Sequence, residues 1–161
     1  MIGRVKYMAI FVSILLAFMA MSAMAVAMEG QTGGVFGERM LFGFSADFWI
    51  LRVMVPLFLL PVIIVAGLES RIVGTLAIAY VIGSVVEDFF WFVVNPYYGL
   101  GKWNSTDATW PNWIKIGPFE LPLFYLISFA VTLILWFVFF KNANRVNLFF
   151  KKYLPWATTK L

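Results

Sequence analysis

The sequence predicts an all-α integral membrane protein, a bundle of four transmembrane helices with a C-terminal amphipathic surface helix. Two observations lead to this fold class. Hydrophobic residues make up 63% of the 161 residues and charged residues only 12%. In a soluble domain, roughly 45–50% of the residues are apolar and about 25% are charged. The apolar residues also gather in four runs of about 20, the length that crosses a bilayer. We therefore expect residues 1–161 to form a single membrane domain.

The four predicted spans are residues 7–28, 48–67, 72–94 and 121–140. We expect helices because a helix satisfies its own backbone hydrogen bonds in lipid. The first span has an alternative: its basic start and the Ala-x-Ala sites that end at Ala25 and Ala27 are typical of a cleaved signal peptide. Its apolar run of about 22 residues exceeds the 7–15 of a signal peptide, which favours a retained helix.

The Lys and Arg residues of the connections predict the orientation, because cytoplasmic loops carry an excess of them. The side that includes both termini has eight: Arg4, Lys6, Arg71, Lys141, Arg145, Lys151, Lys152 and Lys160. The other side has three: Arg39, Lys102 and Lys115. We therefore expect a multi-pass protein of the cell membrane with both termini in the cytoplasm. This distribution of cations does not indicate a nucleic-acid partner.

The tail, residues 141–161, has a helical pattern. Its apolar residues at positions i, i+3, i+4 and i+7 are Val146, Phe149, Phe150 and Tyr153. Off that stripe lie Arg145, Lys151 and Lys152. This pattern predicts a helix on the cytoplasmic surface with its cations attracted to anionic lipid. The alternative is a loose basic tail.

The third span contains two adjacent acids in an apolar stretch. The hydrogen-bonding side chains in the outer part of this helix are those of Glu87 and Asp88 and of four further residues: Tyr80, Ser84, Trp91 and Asn95. Viewed down the helix axis, all six fall within an arc of about 100°. A polar arc on a membrane helix should face protein or water. These residues form the candidate buried polar site.

A stripe of small residues adjoins this arc. Thr75, Ala79 and Gly83 step by four residues toward Glu87, a spacing that lets a neighbouring helix approach closely. We therefore expect the two acids to lie at the outer end of a contact between helices.

Arg52 is the predicted partner of one of the acids. It lies about 6 Å inside the second span and Glu87 about 10 Å inside the third, so the two share a layer. Pro56 and Pro61 free backbone carbonyls close to this layer. Two interpretations stay open: a kinked helix locked by an ion pair, or a functional proton, ion or ligand site.

Cys and His are both absent from the sequence. This excludes disulfides, thiolate or imidazole metal sites and Ser–His or Cys–His nucleophiles. We expect no cofactor and no metal site, and the sequence offers no catalytic residue.

The stretch EDFFWFVVNPYYG, which starts at Glu87, is followed by a Trp-rich loop and by IGPFELP. It resembles a group of small multi-span prokaryotic membrane proteins without assigned activity. The resemblance covers about the central third of the chain. It implies a bacterial or archaeal cell membrane and brings no catalytic residues with it.

Three functions fit these observations. The first is a non-catalytic subunit, scaffold or assembly component of a membrane complex, whose partners are the lipid bilayer and either copies of itself or other membrane subunits. The second is an oligomeric transporter or channel component whose polar pathway is formed by Arg52, Glu87, Asp88 and Asn95. The third is an enzyme that acts on lipid at the outer face with Glu87 or Asp88 as acid and base.

Overall fold

The computed structural model describes residues 2–29, 40–41, 44–45, 55, 57, 59, 61, 63, 67–108 and 112–155. This part of the chain is mostly helical. In chain order its main elements are α1 (Ile2–Glu29), β1 (Met40–Leu41), β2 (Phe44–Ser45), α2 (Ser70–Val94), β3 (Trp113–Ile116), β4 (Phe119–Pro122), α3 (Leu123–Trp136), a π-helical turn (Phe137–Lys141) and α4 (Ala143–Tyr153). Among the described residues, three stretches are long and apolar enough to cross a membrane: Val5–Ala27, Ser70–Val94 and Leu123–Lys141.

These three stretches correspond to the first, third and fourth predicted spans. The second predicted span, 48–67, lies mostly outside the described residues. Within it, five alternate residues are helical: Val55, Leu57, Leu59, Pro61 and Ile63. The N–H of Gly67 donates to the carbonyl of Ile63 at 2.9 Å. Gly67 has a φ of +81°, the left-handed conformation in which many helices end.

The prediction of an all-α fold needs correction in the loop between α2 and α3. Strands β3 and β4 pair antiparallel, with Ile114 opposite Leu121 and Lys115 opposite Glu120. Between them, Gly117 has a φ of +59° and precedes Pro118, a combination that suits a two-residue hairpin turn. Because residues on both sides of this turn alternate between apolar and charged, they form strands. The fourth span therefore begins at Leu123 and not at 121. A second two-stranded hairpin is formed by β1 and β2.

Helix α2 lies between α1 and α3. Along α1, Tyr7 bonds Glu69, Phe18 packs on Gly83, and Ser22 bonds the carbonyl of Glu87. Because the residue numbers rise together in both helices, α1 and α2 run parallel.

Helix α3 runs the opposite way along α2. Its first turn meets the outer half of α2, where Tyr125 bonds the carbonyl of Val85. Its π-helical end meets the start of α2, where Ser70 bonds the carbonyl of Phe139. The beginning of α1, the beginning of α2 and the end of α3 therefore lie at one end of the bundle.

Two glycines of α2 allow these close approaches. A Cβ atom at Gly83 would overlap the ring of Phe18, and one at Gly74 would overlap the side chain of Phe139. Phe18 is only 1% exposed. Any larger residue at either glycine would push a neighbouring helix away from α2.

Helix α4 is tied to the first turn of α2. The side-chain carbonyl of Asn147 accepts the backbone N–H of Ser70 at 2.8 Å. That N–H belongs to the first turn of a helix and has no partner within it. The hydroxyl of Ser70 donates to the carbonyl of Phe139 at 2.7 Å. Ser70 therefore joins three elements: α2, the π-helical turn and α4.

Candidate functional site

A layer of polar groups crosses the bundle at the C-terminal half of α2. We define the polar layer as Ser22 of α1, Ser84, Glu87 and Asp88 of α2, and Tyr125 of α3. Ser22 is fully buried and donates to the carbonyl of Glu87 at 2.8 Å. The hydroxyl of Tyr125 donates to the carbonyl of Val85 at 3.2 Å. Both carboxylate residues are half-buried.

Tyr125 brings a phenol close to the two acids. Its hydroxyl interacts electrostatically with the carboxylates of Asp88 and Glu87. The sequence reasoning missed both Tyr125 and Ser22. Ser22 is one of two serines, with Ser13, in the apolar run of the first span, and a polar residue in such a run was the available signal. Tyr125 gave no comparable signal, because its approach to the acids depends on how α3 packs on α2.

Three other predicted residues of the arc, Tyr80, Ser84 and Trp91, lie along α2 before and after the two acids. Tyr80 is half-buried, and its ring packs edge-to-face against Phe18, with centroids 6.1 Å apart. The hydroxyl of Ser84 donates within the helix to the carbonyl of Tyr80 at 3.0 Å. Trp91 packs against Phe92 and Tyr98, with centroids 5.0 and 4.9 Å away.

The predicted packing stripe is buried. Thr75 is 5% exposed and Ala79 fully buried, and Gly83 packs on Phe18 of α1. The hydroxyl of Thr75 donates to the carbonyl of Arg71 at 2.7 Å. This bond satisfies the hydroxyl inside its own helix and leaves the stripe free to pack.

An aromatic cap covers the outer end of the polar layer. We define the aromatic cap as the rings of Phe89, Trp91, Phe92, Tyr98, Trp103 and Trp113. Trp103 lies at its centre, with its ring centroid 4.6 Å from Phe89, 5.6 Å from Phe92 and 5.4 Å from Tyr125. Edge-to-face pairs of this kind stabilise by about 0.5–1.5 kcal/mol beyond the area they bury. The Trp-rich loop is thereby anchored on α2 and α3.

Asn95 ends α2 beneath this cap. Its side-chain oxygen accepts the backbone N–H groups of Tyr97 and Tyr98 at 2.9 and 3.2 Å, an Asx turn that leads the chain out of the helix. The residue is 2% exposed. Among the described residues no acceptor meets its side-chain N–H₂ group. Asn95 thus combines a structural role with a buried donor that no described residue meets.

Glu120 fastens the loop to the β3–β4 hairpin. One carboxylate oxygen accepts the backbone N–H of Ser105 at 2.6 Å, and the other lies 3.0 Å from the ammonium of Lys115. The backbone and side-chain bonds from Ser105, together with Lys115, lower the pKa of Glu120 from 4.5 to about 2. The indole N–H of Trp103 donates to the backbone carbonyl of Glu120 at 3.4 Å.

Arg52 lies outside the described residues, so its pairing with Glu87 or Asp88 stays a prediction. Arg145, Lys151 and Lys152 are exposed on α4. The described part of the chain contains no cluster of three or more acids that could hold a metal ion.

No protein-family model, curated protein or solved structure matches this chain. The resemblance drawn from the central motif therefore stays a hypothesis based on the sequence alone.

Proposed function

We propose that this chain is a four-span, non-catalytic subunit, scaffold or assembly component of a complex in a prokaryotic cell membrane. The observation that carries the proposal is how the bundle uses its hydroxyl groups. Ser22, Ser70 and Tyr125 each donate to a backbone carbonyl of a neighbouring helix. Such bonds join membrane helices to one another. They are typical of a protein whose polar groups maintain an assembly.

The parallel arrangement of α1 and α2 supports a second membrane crossing between them. Helix α1 ends at the outer end of the bundle with Glu29, and α2 begins at the opposite end with Ser70. The connection must therefore return along the length of the bundle, about 30 Å for a membrane span. The predicted span 48–67 is long enough, and five of its six described residues are helical.

The distribution of cations supports cytoplasmic termini. Among the described residues, seven cations lie on the elements at the end of the bundle that carries the start of α1 and all of α4: Arg4, Lys6, Arg71, Lys141, Arg145, Lys151 and Lys152. The other end carries two, Lys102 and Lys115. This asymmetry is the one expected when the first end faces the cytoplasm.

Purification from native membranes in a mild detergent tests the subunit role. We expect the chain of 18.4 kDa to elute with a second chain, either another copy or a different membrane protein, in a fixed ratio measured by native mass spectrometry. A preparation exposed to a denaturing detergent is the control for chance association. A monodisperse monomer with no companion would contradict the proposal.

The buried donor of Asn95, which no described residue meets, favours a second candidate, an oligomeric transporter or channel component. The donor lies about two turns beyond the two acids on the same arc of α2, so a permeating solute with an acceptor group would meet donor and acids in succession. Uptake by proteoliposomes made with the native chain and with Glu87→Gln tests this candidate, with the exposed Asp107→Asn as the matched control. We expect Glu87→Gln alone to change the flux. Equal flux or equal silence in all three would contradict a transport role.

A further inference from the structure

Helix α4 has two different faces. One face packs on the start of α2 and on the π-helical turn; it consists of Ala143, Val146, Asn147, Phe150 and Leu154, which are buried or half-buried. The rest of the helix is exposed. The apolar stripe predicted from the sequence is therefore divided, because Val146 and Phe150 face the bundle whereas Phe149 and Tyr153 point away from it.

We define the outward face as Arg145, Leu148, Phe149, Lys152 and Tyr153. Leu148 is 67% exposed, Phe149 56% and Tyr153 58%. The rings of Phe149 and Tyr153 lie 4.8 Å apart, and the ammonium of Lys152 lies 5.1 Å from the ring of Tyr153. Arg145 and Lys152 are seven residues apart, so they occupy the middle of this face with apolar side chains on both sides.

The cations of α4 are available for an external anion. Among the described residues, Arg145, Lys151 and Lys152 form no ion pair. The ion pair in the described part of the chain joins Lys115 and Glu120, at the opposite end of the bundle. A face that combines unpaired cations with exposed aromatic and aliphatic side chains has the chemistry of a helix that lies at a membrane interface. Its cations suit anionic headgroups, and its apolar groups suit the upper acyl region.

We propose that the outward face of α4 binds the headgroups of anionic phospholipids, and that Asn147 transmits this binding to the first turn of α2. The proposal rests on the membrane orientation given above. It names the lipid bilayer itself as the occupant, because the face lies at the bundle end where Lys141 closes an apolar, membrane-length stretch. A soluble acidic partner would leave the exposed apolar side chains unexplained.

The link to α2 follows from the bonds of Ser70. Glu69, the N-cap residue of α2, makes no side-chain capping bond. The acceptor for the N–H of Ser70 comes instead from Asn147, on the face of α4 opposite Arg145 and Lys152. Lipid binding that holds α4 in place therefore also holds the cap of α2 in place.

A fluorescent label tests the lipid contact. Because the chain contains no Cys, Leu148→Cys provides a single site for an environment-sensitive fluorophore in nanodiscs. We expect its emission to shift to shorter wavelength when phosphatidylglycerol is added to phosphatidylcholine discs, and the shift to fall several-fold in 1 M salt or with Arg145→Gln and Lys152→Gln combined. Lys115→Gln, at the other end of the bundle, should leave the shift unchanged. The same emission in both kinds of disc would overturn the proposal.

Hydrogen exchange tests the link to α2. We expect the backbone amides of residues 70–73 to exchange several-fold more slowly in the anionic discs than in the neutral ones. Asn147→Ala should abolish this difference, Asn147→Asp should preserve it because the acceptor oxygen remains, and Asn144→Ala on the exposed side of α4 should have no effect. Equal exchange in both lipids for the native chain would overturn the link.

A chain that purifies as a monomer would contradict the subunit role alone and leave both results intact.

Discussion

Three carboxylates of this protein occupy two different environments. Glu120 is in one, and the adjacent Glu87 and Asp88 are in the other. Glu120 lies in the outer loop and is held by Ser105 and Lys115, which stabilise its charged form. Glu87 and Asp88 lie half-buried on a membrane-length helix close to Tyr125. The first carboxylate therefore fastens a loop, whereas the other two form part of a layer between helices.

Replacing Glu120 by Gln should weaken the loop in a manner that depends on pH. The folded-state pKa of about 2 lies below the ordinary 4.5, so the stabilisation is complete above pH 4.5 and is lost as the pH falls toward 2. We expect Glu120→Gln to lower Tm in detergent at pH 7. The difference in Tm between this variant and the native chain should shrink as the pH falls from 4.5 toward 2. Asp107→Asn, which removes an exposed acid from the same loop, controls for the change in net charge. A difference independent of pH would contradict the assignment.

Arg52 provides a second prediction for single residues. If it pairs with one acid of α2, Arg52→Leu should destabilise the protein by about 3–5 kcal/mol, because it leaves a buried charge without its partner. Combining it with Glu87→Gln or Asp88→Asn should restore much of the loss, and the acid that rescues is the partner. Thermal melts of the three single variants and the two doubles measure this. Rescue by neither double would mean that Arg52 pairs with neither acid.

At the level of elements, α2 organises the described part of the protein. It packs on α1 through Gly83, on the end of α3 through Gly74, and on α4 through Ser70. The interhelical hydrogen bonds of Ser22 and Tyr125 also end on its carbonyls. Its small residues are thus where a substitution has the widest structural effect.

Gly83→Ala should destabilise the contact between α1 and α2 by about 1–3 kcal/mol, the usual effect of overpacking. The added Cβ would overlap the buried ring of Phe18. Unfolding in a denaturing detergent measures the loss, and Phe18→Leu in the same chain should recover part of it by making room. Gly101→Ala is the matched control, because a Cβ there meets no atom within 4 Å. An equal effect at both glycines would contradict the packing explanation.

At the level of the whole molecule, the described helices give the bundle two unlike ends. One end holds the start of α1 and the α4 helix, and the other holds the aromatic cap and the β3–β4 hairpin. The first end is cationic. The second is held together by ring contacts and by Glu120, so the two ends suit different sides of a membrane.

Accessibility labels test the topology. We expect tags at the N-terminus and after Leu161 to be protected in intact cells, and a label near Asn104 to react from outside. Permeabilised cells are the control, since all three positions should then react. A C-terminal tag that reacts in intact cells would contradict the even number of crossings and place α4 outside.

Composition and the lengths of the apolar runs determined that the described chain is mostly helical and contains three helices long and apolar enough to cross a membrane, because a long apolar segment satisfies its own backbone hydrogen bonds as a helix whatever its neighbours are. The sequence also contained a signal for the β3–β4 hairpin, because apolar and charged residues alternate on both sides of Gly117 and Pro118. The overall composition, which is dominated by apolar residues, does not reveal this alternation. Tertiary structure decided which polar groups meet. Tyr125 reaches the two acids, and Asn147 caps α2, only because α3 runs antiparallel to α2 and α4 folds back on its start. The hydrogen bonds that fix these arrangements, from Tyr125 to Val85 and from Ser70 to Asn147, join residues 40 and 77 positions apart. The pattern within one helix does not specify which face of another helix will pack against it.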